Sequence, residues 1–539
     1  MTSAEVLFVE GPVFDGRAWR EAPLALGGGR VLAWGAEAEA RRGPGTRVVS
    51  LAGRCATPGL HDAHTHLLGG ALASEAIDLR PATSSEHLAQ LVAEWLEERG
   101  REGWVYGRGF EVDRFPGRAW PERRHLDAVA PDVPVLLRRR DGHAAIANGE
   151  ALRRAGITRD TPDPPGGRIL RDAAGEPSGI LLEDPALDLV TPLIPAPDLA
   201  TKERAVARVL RDAVALGITW LQDDPSYDDR LAPGELYAAL HESGQLVARV
   251  SVWQRLGRDL DELRAERAWL AERVPPERAR YGQLKGYLDG SLGSRTALMH
   301  CDYSDAPGTR GVDLDEAGEL AERVRAAHAA GFQVGLHAIG DLAVTRAIEH
   351  FAAAGPLEEV RARRHRVEHA QHFRLEDVER LVEVGAVASV QPIHLASDVL
   401  VCAERLGPER CRGAFPWREL LDAGAWVAFG TDFPIEPLGP LAGIYTALTR
   451  QAPPSRGVER EPFVGGLLSL EECLRAYTLG AAEAAGLEAE FGHLEVGAHA
   501  DVAVFSRDLR GLTPDELVAA RCELTLRGGE VVFEREGRA

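Results

Sequence analysis

The stretch that decides the fold is "LDEAGELAERVRAAHAAGFQVGLHAIGD", residues 314–341. Its first part carries apolar residues at helical spacing, among them Leu320 and Val324, and it ends at Gly331. Glycine commonly follows the last turn of a helix. The apolar run that follows, up to His337, has the length of a buried strand. The stretch therefore predicts one helix–strand unit whose strand ends in a histidine.

Seven further stretches indicate strands of the same kind. Three follow a helical pattern that ends in glycine, and they close on a polar residue: "GITWLQDD" (217–224), "GAVASVQPIH" (385–394) and "GAWVAFGTDFP" (424–434). Four others are apolar runs without so clear a preceding helix: "GLHDAHTHL" (59–67), "VARVSVW" (247–253), "GQLKGYLDG" (282–290) and "RHRVEHAQ" (364–371). Strands that alternate with helices at this spacing predict parallel strands joined by crossover helices. Eight such strands predict an α/β fold of the (β/α)8 TIM barrel type.

The two ends of the chain depart from this pattern. Residues 1–56 and 490–539 consist of short apolar runs joined by glycine-rich turns, which indicate β-strands. Neither end is large enough to bury a core alone, so we expect the two to form one small β-sandwich domain, with residues 57–489 as the barrel. Residues 70–200 interrupt the barrel rhythm with a clear amphipathic helix, "SSEHLAQLVAEWLEERG", and turn-rich stretches. We interpret them as a large insertion after the first barrel strand, over the barrel mouth.

The charge and composition of the chain limit its partners. It has 62 Lys and Arg against 83 Asp and Glu, a net charge of −21. This charge disfavours nucleic acid and anionic membranes, because both are polyanions. The sequence has no apolar run of the ~18 residues that a membrane span needs, and its start does not resemble a signal peptide. The six cysteines are scattered without a CxxC pair, so neither a disulfide framework nor a cysteine zinc site is expected. We expect a cytoplasmic protein that acts on a small-molecule substrate, with a homodimer as one open alternative.

The first predicted strand has the densest chemistry. "HDAHTH", residues 61–66, holds three histidines, and His64 and His66 are two positions apart. On an extended strand both therefore point to the same face. Two neutral imidazoles on one face can chelate a divalent ion. His61 does not match this spacing, and we interpret it as structural.

Other predicted strands end in groups of similar chemistry. Lys285 lies in the fourth strand, His337 in the fifth and His369 in the sixth, while Asp432 follows the eighth. Each has an ordinary explanation when taken singly, since a histidine can be satisfied in the core and an aspartate can cap a helix. Lys285 needs either a carboxylate partner or conversion of its amine to a carbamate, because burying an unpaired ammonium is costly. In a (β/α)8 barrel the C-terminal strand ends meet at one mouth, so these groups together predict a metal site.

The motifs resemble the amidohydrolase superfamily, whose members carry a metal centre in a (β/α)8 barrel. "TPGLHDAHTHL", residues 57–67, is similar to the strand-one signature of that superfamily. A narrower resemblance, to the YtcJ-like branch (amidohydrolase family 3) that includes N-substituted formamide deformylases, runs through nearly the whole chain. It rests on stretches such as "DGHAAIANGEALRRAGIT" (141–158), "GYLDGSLGSRTA" (286–297), "HRVEHAQ" (365–371), "GTDFPIEPLGP" (430–440) and "LEVGAHADVAVF" (494–505).

The resemblance implies metal ligands at the predicted strand ends. His64, His66 and Asp432 would hold one divalent ion, and the histidines of the fifth and sixth strands would hold a second. Lys285 stands where the family can have a carboxylated lysine that bridges two metals. The expected cofactor is a divalent metal, with zinc favoured, and the sequence leaves open one or two ions per chain.

The same resemblance implies a hydrolase. The metal would lower the pKa of a bound water to give hydroxide near neutral pH, which would attack a carbonyl carbon. Asp432 would act as the catalytic residue that takes the water proton and passes it to the leaving nitrogen. The predicted reaction is cleavage of a C–N bond other than a peptide bond, as in an N-substituted formamide or an N-acyl amine.

Two alternatives stay open. A deaminase of the same barrel often carries a glutamate a few residues after the strand-five histidine, and "HAIGD", residues 337–341, lacks it. A non-catalytic scaffold or regulatory protein would keep the barrel, but such proteins usually lose ligands, and all the expected groups are present.

Six further residues are candidates for substrate contacts: His143, Asn148, Asp289, Arg295, Gln391 and His394. The first two belong to the insertion, where a role in packing is an equal alternative. The other four follow the fourth and seventh predicted strands toward the expected barrel mouth.

Overall fold

The computed structural model of the chain describes residues 3–73, 76–139, 144–164, 167–195, 197–225, 232–315, 318–457 and 462–536. The chain divides into two compact units, one formed by Met1–Gly70 with Val206–Ala539 and the other by Ala71–Ala205. Among the helices of these described ranges, none is long and apolar enough to span a membrane.

The first unit contains an eight-stranded parallel sheet, the (β/α)8 barrel that the sequence predicts. Its strands in chain order are β1 (Leu60–Thr65), β2 (Ile218–Asp223), β3 (Arg249–Arg255), β4 (Ala279–Tyr287), β5 (Val334–Ala338), β6 (Arg366–His369), β7 (Val387–Val390) and β8 (Trp426–Phe429). Each strand pairs in parallel with the next one along the chain. A bridge between Thr65 and Phe433 brings the two outer strands together. All eight predicted strands are therefore confirmed.

The helix–strand unit of residues 314–341 forms as predicted. Its helix spans Leu320–Ala329 and buries Leu320 and Val324 on one face. Gly331 follows with a φ of +91°, a left-handed conformation that favours glycine. The chain then enters β5, whose apolar side chains are buried. A helix that ends at a glycine and is followed by an apolar run therefore marks where the next barrel strand lies.

Helices connect the strands and also occur in the other parts of the chain. The α-helices of the described residues are Ala36–Ala40, Leu67–Ala73, Ser85–Arg99, Arg123–Asp127, Gly149–Arg154, Asp184–Leu187, Leu199–Val214, Pro233–Glu242, Leu260–Ala271, Leu320–Ala329, Asp341–Ala352, Leu357–Arg363, Leu375–Val384, Leu395–Leu406, Trp417–Asp422, Pro440–Thr449, Leu470–Ala476, Leu479–Ala484 and Pro514–Val518. A short 3-10 turn, Pro392–His394, follows β7.

Strands from both chain ends pair with one another, as the sequence predicts. One six-stranded sheet joins, in spatial order, Glu530–Glu534, Cys522–Arg527, Val502–Phe505, Cys55–Pro58, Val13–Phe14 and Trp19–Arg20. A four-stranded sheet is formed by Arg30–Trp34, Leu24–Gly27, Val6–Val9 and Arg47–Ser50. Apolar side chains of both sheets, such as Phe8 and Val504, belong to one buried cluster. This packing makes the two chain ends mutually dependent.

The second unit corresponds to the predicted insertion. Its six-stranded sheet contains, in spatial order, Arg168–Arg171, Pro177–Leu182, Ala144–Ala147, Val135–Arg139, Val105–Phe110 and Ile77–Asp78. The helix Ser85–Arg99 begins as expected at Ser84, whose side chain accepts a hydrogen bond from the backbone N–H of His87. Leu88 and Val92 of this helix lie in a core cluster made within the unit.

Candidate metal centre

Three of the predicted groups meet where β1 and β8 adjoin. The potential ligand atoms of His64, His66 and Asp432 all lie within 4.8 Å of one another. Asp432 Oδ1 is 3.5 Å from His64 Nε2 and 3.2 Å from His66 Nε2. Among the described residues, neither Asp432 Oδ1 nor His64 Nε2 has a hydrogen-bond partner, although both are buried. Buried polar atoms are rarely left unpaired. Two imidazoles and a carboxylate are a suitable donor set for zinc, so these residues fit a divalent ion.

A second group shares the same aspartate. It consists of His369, His394 and Asp432, again with ligand atoms within 4.8 Å of one another. His394 Nε2 lies 3.3 Å from Asp432 Oδ2, and it too has no hydrogen-bond partner in the described part of the chain. The sequence placed His394 among substrate contacts, whereas its position is that of a candidate ligand. The resemblance paired His369 with His337, and among the described residues His337 belongs to neither group.

The backbone is strained at two of these positions. Asp432 has a φ of +59° and His369 a φ of +72°, both in the left-handed region. Residues other than glycine are uncommon there, at a cost of about 1–3 kcal/mol each, and such strain clusters at functional sites. At Gly430, the chain can bring β8 against β1 only because no side chain is present. A Cβ atom there would lie 2.6 Å from the backbone nitrogen of His64.

The Nδ1 atom of each strand-end histidine contacts a hydrogen-bond acceptor elsewhere in the chain. The contacts are His64 to Glu368 Oε2 at 2.7 Å, His66 to the Asp224 carbonyl at 2.8 Å, His337 to Asp289 Oδ1 at 3.0 Å and His369 to Gln391 Oε1 at 2.8 Å. Each partner is an acceptor, so Nδ1 carries the ring proton and donates it. The Nε2 atom is then the one that can bind metal, and such partners also fix the orientation of the ring.

The pKa values of the first group follow from burial and from Asp432. Burial lowers the pKa of His64 to about 4, and Lys285 adds to this, so the ring is neutral near pH 7. Burial also lowers the pKa of His66, but Asp432 and Asp224 outweigh it and raise that pKa to about 9. Burial raises the pKa of Asp432, but His394 and His66 outweigh it and hold it well below its usual value. Because metal ligands must be deprotonated, a cation bound by this group would release the proton of His66.

Lys285 has the carboxylate partner that its burial requires. Its Nζ lies 3.3 Å from Asp224 Oδ2, and its side chain is 1% exposed. The rings of Trp253 and Tyr287 lie 5.2 and 5.1 Å from Nζ, within range of cation–π attraction. The sequence leaves a carboxylate partner and a carbamate as alternatives for Lys285. The structure shows a carboxylate partner, Asp224.

The two insertion candidates for substrate contact have different outcomes. Asn148 is fully buried, and its side chain makes four hydrogen bonds inside the insertion unit, to Val135, Ala151, Ala130 and Val133. These bonds use both donors and the amide oxygen, which favours the packing role over the substrate contact that was the alternative for Asn148. His143 lies outside the described residues.

The candidates that follow β4 and β7 position other groups. Asp289 accepts four hydrogen bonds, from the His337 ring and from the backbone N–H groups of Leu298, Ile339 and Gly340. Arg295 pairs with Asp305, with the closest atoms 2.7 Å apart. Gln391 holds the ring of His369. These contacts show what the three side chains do within the chain, and their role in substrate contact stays a prediction.

Glu368 was missed by the sequence analysis. It is completely buried in β6 and contacts His64. Burial raises the pKa of its carboxyl, but Arg366 and His64 outweigh it and hold the pKa well below its usual range. The signal was present in "RHRVEHAQ", where Arg366 and Glu368 alternate with an apolar residue on a predicted strand. That spacing places the two opposite charges on one face of the strand, as in a buried ion pair.

Comparison with known proteins identifies the family of this chain. The sequence profile of the amidohydrolase family matches residues 47–533. The putative amidohydrolase YtcJ of Bacillus subtilis is 32% identical over 91% of this chain and 91% of its own length. The N-substituted formamide deformylase of Arthrobacter pascens is 27% identical over 95% of each chain. An uncharacterized metal-dependent hydrolase from Pyrococcus furiosus has a crystal structure that matches with a TM-score of 0.75, at 27% identity, over 95% of this chain and 99% of that one. Because the family profile covers far more than half of the sequence, this chain belongs to the amidohydrolase family.

Proposed function

We propose that the protein hydrolyses the C–N bond of a small non-peptide amide, of the N-substituted formamide or N-acyl amine type. The observation that carries this proposal is the buried Asp432 carboxylate, which is shared by two groups of histidines whose ligand atoms lie within 4.8 Å of one another. Among the described residues, His64 Nε2 and His394 Nε2 are buried there without a hydrogen-bond partner. A divalent ion held by His64, His66 and Asp432, or by His369, His394 and Asp432, would supply Lewis-acid polarisation and a water of lowered pKa.

The chain's own residues supply proton transfer. Asp432 is ionised at neutral pH because its pKa is held low by His394 and His66. An ionised carboxylate in this position can accept a proton from water and return it to a leaving nitrogen. His394 lies 3.3 Å from Asp432 Oδ2, so it can orient that oxygen while Oδ1 faces the histidines of β1.

The amide class is supported by the family and by one relative. The relative named as an N-substituted formamide deformylase aligns over 95% of both chains. Hydrolysis of an amide and deamination differ in what leaves the carbon, an amine in the first case and ammonia in the second. The two reactions are therefore distinguished by their products.

A substrate screen tests the proposal. The metal-loaded protein is incubated with N-formyl amines, N-acyl amines and amino-substituted heterocycles, with and without chelator, and amine and ammonia are measured separately. We expect release of an amine that the chelator prevents and that Asp432→Asn abolishes. Release of ammonia from a heterocycle would favour a deaminase. Absence of turnover in every metal-loaded sample would favour a non-catalytic protein.

A further inference from the structure

We propose that Glu368 fixes the tautomer of His64, so that His64 presents an unprotonated Nε2 to the metal site. The inference rests on the proposed metal role of His64 and deepens it. Glu368 would be a positioning residue, since it acts through the histidine ring and not on a ligand or substrate.

The contact between Glu368 and His64 determines where the ring proton lies. Glu368 Oε2 is 2.7 Å from His64 Nδ1, and both side chains are completely buried. An ionised carboxylate can only accept hydrogen bonds, so Nδ1 must donate. The neutral ring then has no proton on Nε2. That atom is buried, it has no partner among the described residues, and it lies 3.5 Å from Asp432 Oδ1.

The other oxygen of Glu368 is surrounded by donors. Gln283 Nε2 donates to Oε1 at 2.7 Å, and Arg366 Nε lies 2.7 Å from the same oxygen. Arg366 is itself held in the barrel interior by the Ala63 carbonyl and Ser389 Oγ, each at 2.8 Å. The carboxylate is therefore held by Gln283 and Arg366, and its Oε2 accepts from His64 Nδ1 at 2.7 Å and from Arg366 Nη2 at 3.3 Å.

This arrangement makes the variant Glu368→Gln informative. Gln283 donates to the Oε1 position, and Arg366 lies closer to Oε1 than to Oε2, at 2.7 against 3.3 Å. The amide oxygen therefore takes the Oε1 position, and the amide N–H2 faces His64. Nδ1 then has to accept a hydrogen bond, and the ring proton moves to Nε2. Glutamine has nearly the shape of glutamate, but the substitution leaves His64 Nε2 protonated, so that this atom can no longer bind a cation. A change of tautomer through a neighbouring carboxylate-to-amide exchange is known to impair other histidine sites.

The test measures metal affinity apart from activity. Chelator-treated protein is titrated with Zn²⁺ in competition with a chromophoric chelator, and each titration is scaled to the folded fraction. We expect Glu368→Gln to bind zinc about 10–100-fold more weakly than wild type, the range found for partners of ligating histidines. Ser389→Ala is the matched control, because it removes a bond to the same Arg366 and keeps the Glu368–His64 contact. It should bind zinc as wild type does.

A double variant separates tautomer from charge. Glu368→Gln leaves Arg366 without its anion, which can lower stability by itself. Arg366→Gln/Glu368→Gln removes both charges while Gln283 still directs the amide, and it should show the same loss of affinity. Wild-type affinity in a folded Glu368→Gln or double variant overturns the proposal, as does failure of both variants to fold, which would mean that Glu368 serves the fold. A wild-type protein that binds no zinc contradicts the proposed function instead.

Discussion

Thr431 and Asp62 bind each other across the seam between β8 and β1. Thr431 Oγ1 donates to Asp62 Oδ2 at 2.6 Å, and the Thr431 backbone N–H donates to Asp62 Oδ1 at 2.9 Å. Thr431 directly precedes Asp432, and Asp62 lies two positions before His64. The pair therefore ties the aspartate after β8 to the histidine of β1.

Removing this tie should weaken both the fold and the site. In Thr431→Val the Asp62 carboxyl keeps its backbone bond but loses the side-chain donor while it stays buried. An unsatisfied buried group costs about 1–3 kcal/mol, and we expect that loss in the free energy of unfolding, measured with urea. Thr449→Val is the control, since Thr449 Oγ1 bonds the Tyr445 carbonyl and the Gln451 backbone N–H, which do not belong to the seam. An equal loss in both variants would contradict a special role of the seam.

Asp432→Asn should remove catalysis while the protein stays folded. The amide cannot take a proton as the carboxylate does, and proton transfer of this kind contributes about 10²–10⁴-fold to rate. We expect kcat on the best amide substrate to fall by that factor, with metal partly retained. Glu436→Gln, in the same loop and bonded to Ser397 at 2.6 Å, should keep most activity. Full activity in Asp432→Asn would exclude the proposed role.

Metal stoichiometry can decide between His394 and His337. His394 belongs to the second candidate group, and His337 belongs to neither within the described residues. If wild type binds two ions, we expect His394→Ala to lose one of them and His337→Ala to keep both, as measured by elemental analysis after gel filtration. The reverse result would restore the pairing of His337 with His369 that the sequence implies.

The Lys285–Asp224 ion pair should appear as coupling between two mutations. Lys285→Met leaves a buried carboxylate with only part of its partners, and breaking a buried pair typically costs about 3–5 kcal/mol. The double variant Lys285→Met/Asp224→Asn removes both charges and should recover much of that loss in chemical denaturation. Independent, additive effects of the two single variants would mean that the pair does not exist in solution. A carbamate on Lys285 would then be the better explanation.

A histidine pair away from the metal centre predicts acid sensitivity. His365 Nδ1 accepts the Val334 backbone N–H at 3.0 Å, and its Nε2 lies 3.0 Å from His328 Nδ1. Burial, with His328 second, lowers the pKa of His365 from 6.5 to about 3. The unfolded chain therefore takes up a proton first, so the stability from neutral His365 is present above pH 6.5 and is lost as pH falls toward 3.

The variant His365→Gln should flatten this dependence. Glutamine can still accept from Val334 but does not titrate. Between pH 7 and pH 5 we expect the free energy of unfolding to fall by about 1–2 kcal/mol less in the variant than in wild type. Thr449→Val, which changes no titratable group, serves as the control and should keep the wild-type slope. Identical slopes in wild type and His365→Gln would contradict the prediction.

The barrel could be predicted from sequence because its signals are local. A helix that ends at a glycine such as Gly331, followed by an apolar run, needs no knowledge of distant residues. The strand-end residues could then be brought together by the rule that parallel barrel strands end at one mouth. The rule predicts that His64, His66 and Asp432 lie together although more than three hundred residues separate them, and their ligand atoms lie within 4.8 Å of one another.

What surrounds the strand ends could not be predicted in the same way. His394 follows β7 in a short 3-10 turn, and its approach to Asp432 depends on how that turn leaves the strand. Asn148, Asp289 and Arg295 are polar residues in motifs, and a motif does not reveal whether a polar atom already has a partner. The alternation of Arg366, Val367 and Glu368 indicates a buried charge at Glu368, but only the structure shows that its carboxylate contacts His64 Nδ1.

Gly430 has a consequence for how this protein can vary. A Cβ there would lie 2.6 Å from the His64 nitrogen and 2.9 Å from its Cβ. Even alanine at this position would push β8 away from the strand that carries the first histidines. Substitutions elsewhere in β8 can be absorbed by repacking, but here the nearest atom is a backbone nitrogen, which no change of side chain removes. We expect position 430 to tolerate no other amino acid in an active protein, so that a saturation library at this codon should return glycine alone.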